Sequence, residues 1–348
     1  MTSSGPSHFE AELREQGAIL AARTEPGWEH ASMAAELLGR NDVDHVVVAA
    51  RGTSDNAARY AQYLLGIEAR LPVGLAAPWL YSSDSPPRLS RGAVLAISQS
   101  GRSPDIVSVA AAARAQDRPT IAITNDVDSP LAAAADIVVP LLAGDERAVA
   151  ATKTYLASLH AIAQIASCLR PDPSRSTWFE RLPELVSETI EGQLDARARF
   201  DRLDGAALIT VVGRGLQLAT AYETALKLRE LSAVASEAFS LPDLIHGPIA
   251  ALRPSGAVWL LSTSGRRQPD RAALAALRQA TGVSVAVSDR DDVVAAAEIG
   301  IPVAPGLPEW LAPIVSVIPG QAAALRLGEL REVDLDQPHG LHKVTLTS

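Results

Sequence analysis

Residues 46–60 read VVVAARGTSDNAARY, and residues 209–223 read ITVVGRGLQLATAYE. The two stretches align with Arg51-Gly52 against Arg214-Gly215, at an offset of 163 residues. Each begins with a short β-branched run and continues into a longer stretch whose apolar residues have helical spacing, which is typical of a strand followed by a helix. The match predicts that one strand–turn–helix unit occurs twice in the chain.

Two further matches keep nearly the same register. AISQSGRSPD at residues 96–105 resembles LLSTSGRRQPD at residues 260–270, at an offset of 164 residues between their Ser-Gly pairs. AAADIVVP at residues 133–140 resembles AAAEIGIP at residues 295–302, at an offset of 162. Three anchors in one register indicate an internal duplication rather than chance similarity in an Ala-rich chain.

Both copies alternate short apolar runs with longer amphipathic stretches, the order of a parallel sheet wound by helices. The expected strands span residues 45–50, 73–76, 93–97, 120–124 and 137–141 in the first copy, and 207–212, 258–262, 283–287 and 299–303 in the second. The expected helices span residues 54–65, 103–115, 150–169 and 216–237, with a Pro/Ser-rich break at 171–176 and a charged linking helix near 182–200. The sequence predicts an α/β fold of two doubly wound, Rossmann-like parallel sheets, each flanked by helices in three αβα layers.

The length of 348 residues suits about two domains of roughly 150 residues each. We expect an N-terminal helical segment at residues 1–40, a first domain at 41–172, a linker helix at 173–202, a second domain at 203–335 and a tail at 336–348. A composition of 47% hydrophobic and 20% charged residues excludes a disordered or fibrous chain. Because the sequence has neither a long apolar run nor the order of a signal peptide, we expect a soluble, cytoplasmic protein without a membrane partner.

The net charge of −9, from 31 basic and 40 acidic residues without a basic cluster, counts against a nucleic-acid partner. The single cysteine, Cys168, leaves no disulfide framework or cysteine-based metal site, and we expect neither a metal nor a cofactor. An anionic ligand would have to be held by local donors rather than by a broadly positive surface.

Two turns of the first copy, Arg51–Ser54 and Ser98–Ser103, follow expected strands and are rich in hydroxyl groups. In doubly wound sheets such turns lie where ligands bind, and the free N–H groups of the helix starts attract anions. Ser103-Pro104 also predicts an N-cap followed by proline at the first helical position. Two such turns at one edge favour a phosphate cradle over simple helix capping. The equivalent turns of the second copy, 214–217 and 262–267, have lost part of their hydroxyls, so we expect them not to hold the same ligand.

These turns resemble those of the sugar isomerase (SIS) family of phosphosugar-binding domains, whose Ser-rich loop holds a sugar phosphate. The likeness covers the whole chain and is greatest to the tandem isomerase half of the glucosamine-6-phosphate synthases. The matching blocks, in the family's order, are RGTS, SQSGRSPD, GDERAVAATKTY, GRGLQLATAYETALKLRELSAVASEAFSLPDLIHGP and DLDQPHGLHKVT. The resemblance implies phosphate ligands at Thr53, Ser54, Ser98, Gln99, Ser100 and Ser103, with Val149 and Ala151 beside the sugar.

The resemblance places the chemistry in the second copy and the tail. Glu230 lies three residues after Lys227, so both project from one helix face, and a carboxylate there could move a proton between C1 and C2 of an open-chain sugar. Taken alone, such a pair is a common surface ion pair. His246, in LIHGPIA, could be a hydrogen-bonded structural histidine, whereas the resemblance implies that it opens the sugar ring from the neighbouring subunit of a homodimer.

Lys343 lies near the end of the tail, in PHGLHKVTLTS, between the apolar residues Leu341 and Val344. A terminal lysine is ordinarily a solvated charge. Burial would instead favour the neutral amine, which could form a Schiff base with the C2 carbonyl of a ketose phosphate, as the resemblance implies. We expect deletion of residues 341–348 to abolish catalysis while leaving the fold nearly intact.

The chain also departs from the synthases. Their glutaminase begins with a catalytic cysteine, whereas Cys168 lies within an expected helix, so we expect no glutaminase and no glutamine-dependent amination. The tail looks more like that of stand-alone glucosamine-6-phosphate deaminases of the SIS type. Ala151 and Arg102 stand where the synthases have Ser and Glu, which changes the groups that could read the sugar hydroxyls.

The resemblance therefore implies a dimeric deaminase that converts glucosamine 6-phosphate and water to fructose 6-phosphate and ammonia. One alternative is an isomerase or deaminase of another amino sugar phosphate, of the galactosamine or fructosamine type, because a phosphate cradle does not read ring stereochemistry. Another is a non-catalytic phosphosugar sensor, against which the lack of a DNA-binding extension counts.

Overall fold

The computed structural model describes residues 5–83, 85–263, 265 and 268–343. The chain divides into two compact units. The first-sheet unit consists of Gln16–Glu146, Lys153–Pro183 and His342–Ser348, and the second-sheet unit of Met1–Glu15, Arg147–Thr152 and Glu184–Leu341. Two long helices, α1 (His8–Leu38) and α6 (Pro173–Asp195), have residues in both units.

The first-sheet unit is built on a parallel sheet in the order β2-β1-β3-β4-β5. Its strands are β1 (His45–Ala49), β2 (Val73–Leu75), β3 (Gly92–Ile97), β4 (Thr120–Thr124) and β5 (Ile137–Pro140). Its further helices are α2 (Gly52–Glu68), α3 (Pro104–Arg114), α4 (Pro130–Ala133) and α5 (Lys153–Leu169), with a 3₁₀ turn at Pro78–Ser82. All six residues of β3 and all five of β4 are buried, which explains their unbroken apolar runs.

The second-sheet unit repeats this topology, with the order β7-β6-β8-β9-β10. Its strands are β6 (Ile209–Gly213), β7 (Ser236–Ser240), β8 (Ala257–Ser262), β9 (Val283–Ser288) and β10 (Ile299–Pro302). Its helices are α7 (Gln217–Ser232), α8 (Leu241–Ile245), α9 (Arg271–Arg278), α10 (Asp291–Val294), α11 (Ala312–Ser316) and α12 (Ile318–Leu330), with 3₁₀ turns at Arg197–Leu203 and Pro248–Ala251. The predicted α/β fold and the duplication are confirmed.

The duplication extends to backbone angles. The glycine after the first strand of each sheet has a left-handed backbone, with φ of +55° at Gly52 and +57° at Gly215. Gly52 is the first residue of α2, and Gly215 lies two residues before the start of α7. The same turn geometry therefore occurs at both places where the sequence carries Arg-Gly.

The predicted helix over 216–237 is wrong in its second half. Helix α7 ends at Ser232, Ala233 has a left-handed backbone with φ of +51°, and residues 236–240 form the edge strand β7. The strand SEAFS lacks the apolar run that marks the buried strands, because only one of its five residues is buried. Because β7 lies at the edge of its sheet, its sequence lacks the apolar pattern from which strands are predicted.

Two other boundaries differ from the expectation. The Pro/Ser-rich break at 171–176 is shorter than expected, because α6 begins at Pro173 and the backbone N–H of Ser174 donates to Asp172 Oδ1. The linking helix thus runs over Pro173–Asp195 rather than 182–200. Helix α5 begins at Lys153 and not at residue 150.

A polar cluster lies inside the first-sheet unit, where α1 meets α5. Arg23 is fully buried, and its guanidinium donates to the Leu141 carbonyl oxygen at 3.2 Å, to Gln164 Oε1 at 3.1 Å and to His160 Nδ1. Burial lowers the pKa of Arg23 to about 9, and burial together with the Arg23 charge holds the pKa of His160 well below its ordinary value. His160 is therefore neutral in the folded protein.

This histidine predicts a pH-dependent stability. An unfolded His160 titrates near pH 6.5, so below that pH the unfolded chain binds a proton that the folded chain excludes, and folding stability falls. Between pH 7.5 and 5.5 the loss is about 1.4 kcal/mol from this group. Urea unfolding of the wild type and of His160→Gln, which keeps an acceptor for Arg23, measures the difference. Equal pH dependence in the two proteins would contradict the prediction.

Candidate functional site

The two hydroxyl-rich turns lie at the carboxyl ends of neighbouring strands in the first sheet. Strands β1 and β3 are parallel neighbours, with Ala49 paired to Ala96, and the chain turns from each into a helix. In the order β2-β1-β3-β4-β5 the winding reverses between β1 and β3, which is where doubly wound sheets bind ligands. The structure therefore brings the expected phosphate ligands to one edge of one sheet.

The loop after β3 has a tight, fixed backbone. Gly101 has φ of +62°, and a Cβ built on it would lie 2.0 Å from Ser129 Oγ. The hydroxyl of Ser98 accepts from the Gly101 N–H at 3.1 Å, and that of Ser100 accepts from the Arg102 N–H at 3.3 Å. Since each hydroxyl still has its own proton to donate, Ser98 and Ser100 can serve an anion while holding the loop.

Ser103 lies at the predicted N-cap position of α3, but it does not make the hydrogen bond that an N-cap side chain usually makes. Ser103 is the residue before Pro104 at the start of the helix, and its side chain makes no capping hydrogen bond. Ser103 is half-buried. Simple capping therefore does not account for this serine, which supports its assignment as a candidate ligand.

The arginines beside these turns are neutralised by carboxylates. Arg51 Nε lies 2.7 Å from Asp105 Oδ2, a buried carboxylate in the first turn of α3, so this ion pair ties the two turns together. Arg102 pairs with Asp126 at 2.8 Å. The positive potential available to an anion thus comes mainly from the starts of α2 and α3, as the negative net charge of the chain requires.

A glycine substitution tests this geometry. Gly101→Ala combines an unfavourable left-handed backbone with a clash against Ser129, so we expect it to abolish sugar phosphate binding. Gly205→Ala is the matched control, because Gly205 has φ of +86° with no atom within 4 Å of a built Cβ. Isothermal calorimetry should show lost binding only for Gly101→Ala, and retained binding there would contradict the cradle.

The equivalent turn in the second-sheet unit is occupied by a carboxylate. A Cβ built on Gly265, the counterpart of Gly101, would lie 2.5 Å from Glu309 Oε1, and Gln268 Nε2 donates to the same oxygen at 3.2 Å. A carboxylate here repels phosphate. The geometry agrees with the expectation that the second copy does not hold the same ligand.

Lys227 and Glu230 form part of a triad on α7. Lys227 Nζ lies 2.5 Å from Glu230 Oε2 and 3.3 Å from Glu223 Oε1, and the side chains of Lys227 and Glu223 are fully buried. Burial lowers the pKa of Lys227, but the two carboxylates outweigh burial and leave the pKa above its ordinary value. The pair is not a surface ion pair. Lys227 is a permanent cation that fixes the carboxylate of Glu230, whose side chain is 21% exposed.

His246 is exposed, directly after α8. His246 is therefore not a core residue of the second-sheet unit. An exposed imidazole is compatible with a role toward a second copy of the chain, and that role stays a prediction.

Val149 and Ala151 lie on the segment between β5 and α5, and both are half-buried. Within the second-sheet unit, the Glu12 carboxylate on α1 accepts from the backbone N–H groups of Arg147 and Ala148. This carboxylate fixes the backbone that presents Val149, a contact that the sequence did not reveal.

Lys343 is not buried among apolar side chains, which corrects that expectation. Its side chain is 26% exposed, and its Nζ lies 2.9 Å from Oε2 of Glu146, a fully buried carboxylate. Both residues belong to the first-sheet unit. Val344 lies outside the described residues. The tail lysine is thus held by a specific partner rather than by hydrophobic burial.

Several of these residues had a signal in the sequence that pattern reading missed. Glu223 precedes Lys227 by one helical turn, and Glu146 lies in the block GDERAVAATKTY. The small number of lysines is the clearest of these signals. Only three of the 31 basic residues are lysine, namely Lys153, Lys227 and Lys343, and each of them makes a polar contact with an acidic residue.

The single cysteine lies in a helix and is partly buried. Cys168 lies in the last turn of α5, and burial raises the pKa of its thiol, which disfavours the reactive thiolate.

Among the described residues, none of the helices has the length and hydropathy of a membrane span. The same residues contain no group of three or more His, Cys, Asp or Glu side chains suited to a metal ion.

A parallel sheet with a hydroxyl-lined turn at its switch point is typical of proteins that bind phosphate-bearing ligands. The SIS domain model matches residues 41–168 and 203–327, and the chain belongs to the SIS family. Glutamine–fructose-6-phosphate aminotransferase (isomerizing) of Thermus thermophilus is 33% identical over 317 residues, which are 88% of this chain and 52% of that protein. The Gloeobacter violaceus protein of the same name is also 33% identical, over 87% of this chain and 52% of its own length. The chain therefore spans about half the length of these relatives.

Solved structures show the same fold. The C-terminal domain of glucosamine-fructose-6-phosphate aminotransferase from Francisella tularensis has a TM-score of 0.81 at 23% identity, covering 97% of this chain and 100% of that one. Glucosamine-6-phosphate deaminase from Thermotoga maritima has a TM-score of 0.76 at 19% identity, covering 98% and 100%. Tagatose-6-phosphate ketose/aldose isomerase from Escherichia coli has a TM-score of 0.80 at 18% identity, covering 98% and 99%.

Proposed function

We propose that this chain deaminates an amino sugar phosphate, converting glucosamine 6-phosphate and water to fructose 6-phosphate and ammonia. The observation that carries the proposal is the triad on α7, in which buried Lys227 holds the carboxylate of Glu230. A chain that only senses a phosphosugar has no use for such a fixed proton acceptor. The tail lysine, Lys343, supplies the second reactive group.

In this proposal the turns after β1 and β3 hold the phosphate. The candidate ligands are Thr53, Ser54, Ser98, Gln99, Ser100 and Ser103. Val149 and Ala151 contact the sugar. His246, from the neighbouring subunit of a homodimer, protonates and opens the ring, so that C1 becomes an aldehyde carbon. Because these donors are local, binding should depend weakly on salt.

Glu230 then takes the proton from C2 and returns it to C1, while the amine gives a proton to O1, so that the aldose amine becomes an imine at C2 with a hydroxyl group on C1. The Nζ of Lys227 lies 2.5 Å from Oε2 of Glu230, and its 21% exposure leaves the carboxylate accessible. The Nζ of Lys343 passes the proton that it carries in its ion pair with Glu146 to the leaving nitrogen and adds to C2, so that ammonia departs with this proton and a lysine imine replaces the ammonia imine. Water hydrolyses this imine, releasing fructose 6-phosphate and restoring the lysine. Atoms balance, with one water consumed and one ammonia released.

Lysine accessibility supports the choice of Lys343 as the nucleophile. Lys227 is fully buried and held as a cation by two carboxylates, and Lys153 is 3% exposed with its Nζ on the carbonyl oxygen of Asp145. Lys343 is the most exposed of the three. We expect the enzyme to act in the cytoplasm, where sugar phosphates are retained.

A panel of amino sugar phosphates scored by ammonia release tests the proposal. We expect the greatest release from glucosamine 6-phosphate, with the galactosamine and fructosamine phosphates as comparison substrates. Preferred release from one of these would assign the alternative substrate and reject glucosamine 6-phosphate. Binding without ammonia release from any member would reject deamination and support a sensor.

A further inference from the structure

Glu146 is a buried carboxylate with donors from two distant parts of the chain. Its Oε1 accepts from the backbone N–H of Thr154 at 3.0 Å, and its Oε2 accepts from Thr154 Oγ1 at 2.8 Å and from Lys343 Nζ at 2.9 Å. The side chain is fully buried. All three residues belong to the first-sheet unit.

The surroundings of Glu146 favour its ionised form. Thr154 is the second residue of α5, so the carboxylate lies at the start of a 17-residue helix, where backbone N–H groups and the helix dipole stabilise negative charge. A buried carboxylate with no cation nearby is costly. Lys343 supplies this cation, although it lies 197 positions further along the chain.

The same contacts join the two ends of the segment between β5 and α5, which we call the base of this segment. Lys153 Nζ donates to the carbonyl oxygen of Asp145 at 2.5 Å, while Glu146 binds Thr154 through both backbone and side chain. The segment therefore begins at Asp145-Glu146 and ends at Lys153-Thr154, and the contacts just described hold these two residue pairs together. Residues 147–152, which include Val149 and Ala151, lie between these points.

We infer that Glu146 is a positioning residue for Lys343, which couples the tail lysine to the base of the segment that carries Val149 and Ala151. The inference rests on the proposed function, in which Lys343 attacks C2 of the sugar. Leu341, two residues before Lys343, is 36% exposed. Without the carboxylate, the Nζ of Lys343 loses its 2.9 Å contact with Glu146, and an imine forms slowly even when the sugar is bound.

Reductive trapping with borohydride in the presence of fructose 6-phosphate measures imine formation directly. We expect Glu146→Gln to bind fructose 6-phosphate nearly as well as the wild type but to be trapped at least about 10-fold more slowly, since misplacing a reacting group by 1 Å can cost about 100-fold. Glu146→Asp keeps the charge and should recover part of the trapping rate. The loss should appear in kcat and not in KM.

The matched control is Glu68→Gln. Glu68 is also a buried carboxylate in the first-sheet unit, with a side chain 6% exposed, and it pairs with Arg175 at 2.7 Å. Both substitutions should lower the melting temperature, but only Glu146→Gln should slow trapping. An equal trapping loss in the two variants, or none in Glu146→Gln, would overturn the inference.

A second measurement needs no sugar and separates this inference from the proposed function. Acetic anhydride labelling, read by peptide mass spectrometry, compares the reactivity of Lys343 with that of Lys153 in the same molecule. The pair with Glu146 should protect Lys343 in the wild type, and Glu146→Gln should raise its labelling severalfold. Unchanged labelling overturns the role of Glu146. Raised labelling in a protein that is never trapped by a sugar phosphate supports Glu146 and rejects the proposed function instead.

Discussion

Replacing Glu230 by glutamine should lower kcat about 100- to 10,000-fold, the range expected when a positioned general base is removed. Glutamine has the same shape but cannot take a proton from C2. The fold should survive, because Lys227 keeps the buried carboxylate of Glu223 at 3.3 Å as its counter-charge. Sugar phosphate affinity should change little, since the phosphate candidates lie on the other sheet.

Ammonia release and calorimetric binding, measured on one preparation, check this prediction. Glu188→Gln, which alters an exposed glutamate of α6, is the control and should match the wild type in both assays. Full turnover by Glu230→Gln would remove Glu230 from the mechanism. Loss of binding together with turnover would indicate a structural role.

Replacing Lys343 by arginine should abolish ammonia release, because a guanidinium stays protonated and cannot form an imine. Arginine retains a positive charge for the buried carboxylate of Glu146, so this variant should fold like the wild type. Deleting residues 341–348 should also abolish turnover. The deletion should in addition lower stability, because it removes the 2.9 Å ion pair between Lys343 and the buried carboxylate of Glu146.

This stability difference revises the expectation that the tail can be removed with the fold nearly intact. Chemical denaturation of the arginine variant and of the truncated chain, alongside ammonia release, measures both effects. Residual turnover by either protein, above that of buffer, would assign the nucleophile to another group.

The repeated Arg-Gly and Ser-Gly turns were enough to predict two parallel sheets, because buried strands leave unbroken apolar runs. Strand β7 escaped prediction since it lies at an edge, where polar residues are tolerated. The end of α7 was also hidden, because Ala233 gives no sign in the sequence of its left-handed backbone. Local patterns therefore predicted the interior of each sheet better than its margins.

The candidate site could likewise be predicted only in part. Residues that follow strands, such as Ser98 and Ser103, could be placed from sequence because topology fixes where strand ends meet. The partner of Lys343 could not be predicted from the sequence, because Glu146 lies 197 residues away and only the folded chain brings the two together. The apolar neighbours of Lys343 in the sequence suggested burial, whereas the structure gives it an ion pair.

Borohydride trapping of the wild-type protein during turnover of glucosamine 6-phosphate, followed by peptide mapping, shows whether Lys343 forms an imine with the sugar. The sequence contains three lysines, so the position of a reduced hexose phosphate adduct can be read without ambiguity. We expect the adduct to form on Lys343 and ammonia to be released in parallel. An adduct on Lys153 or Lys227, or ammonia release with no adduct, would contradict the proposed chemistry.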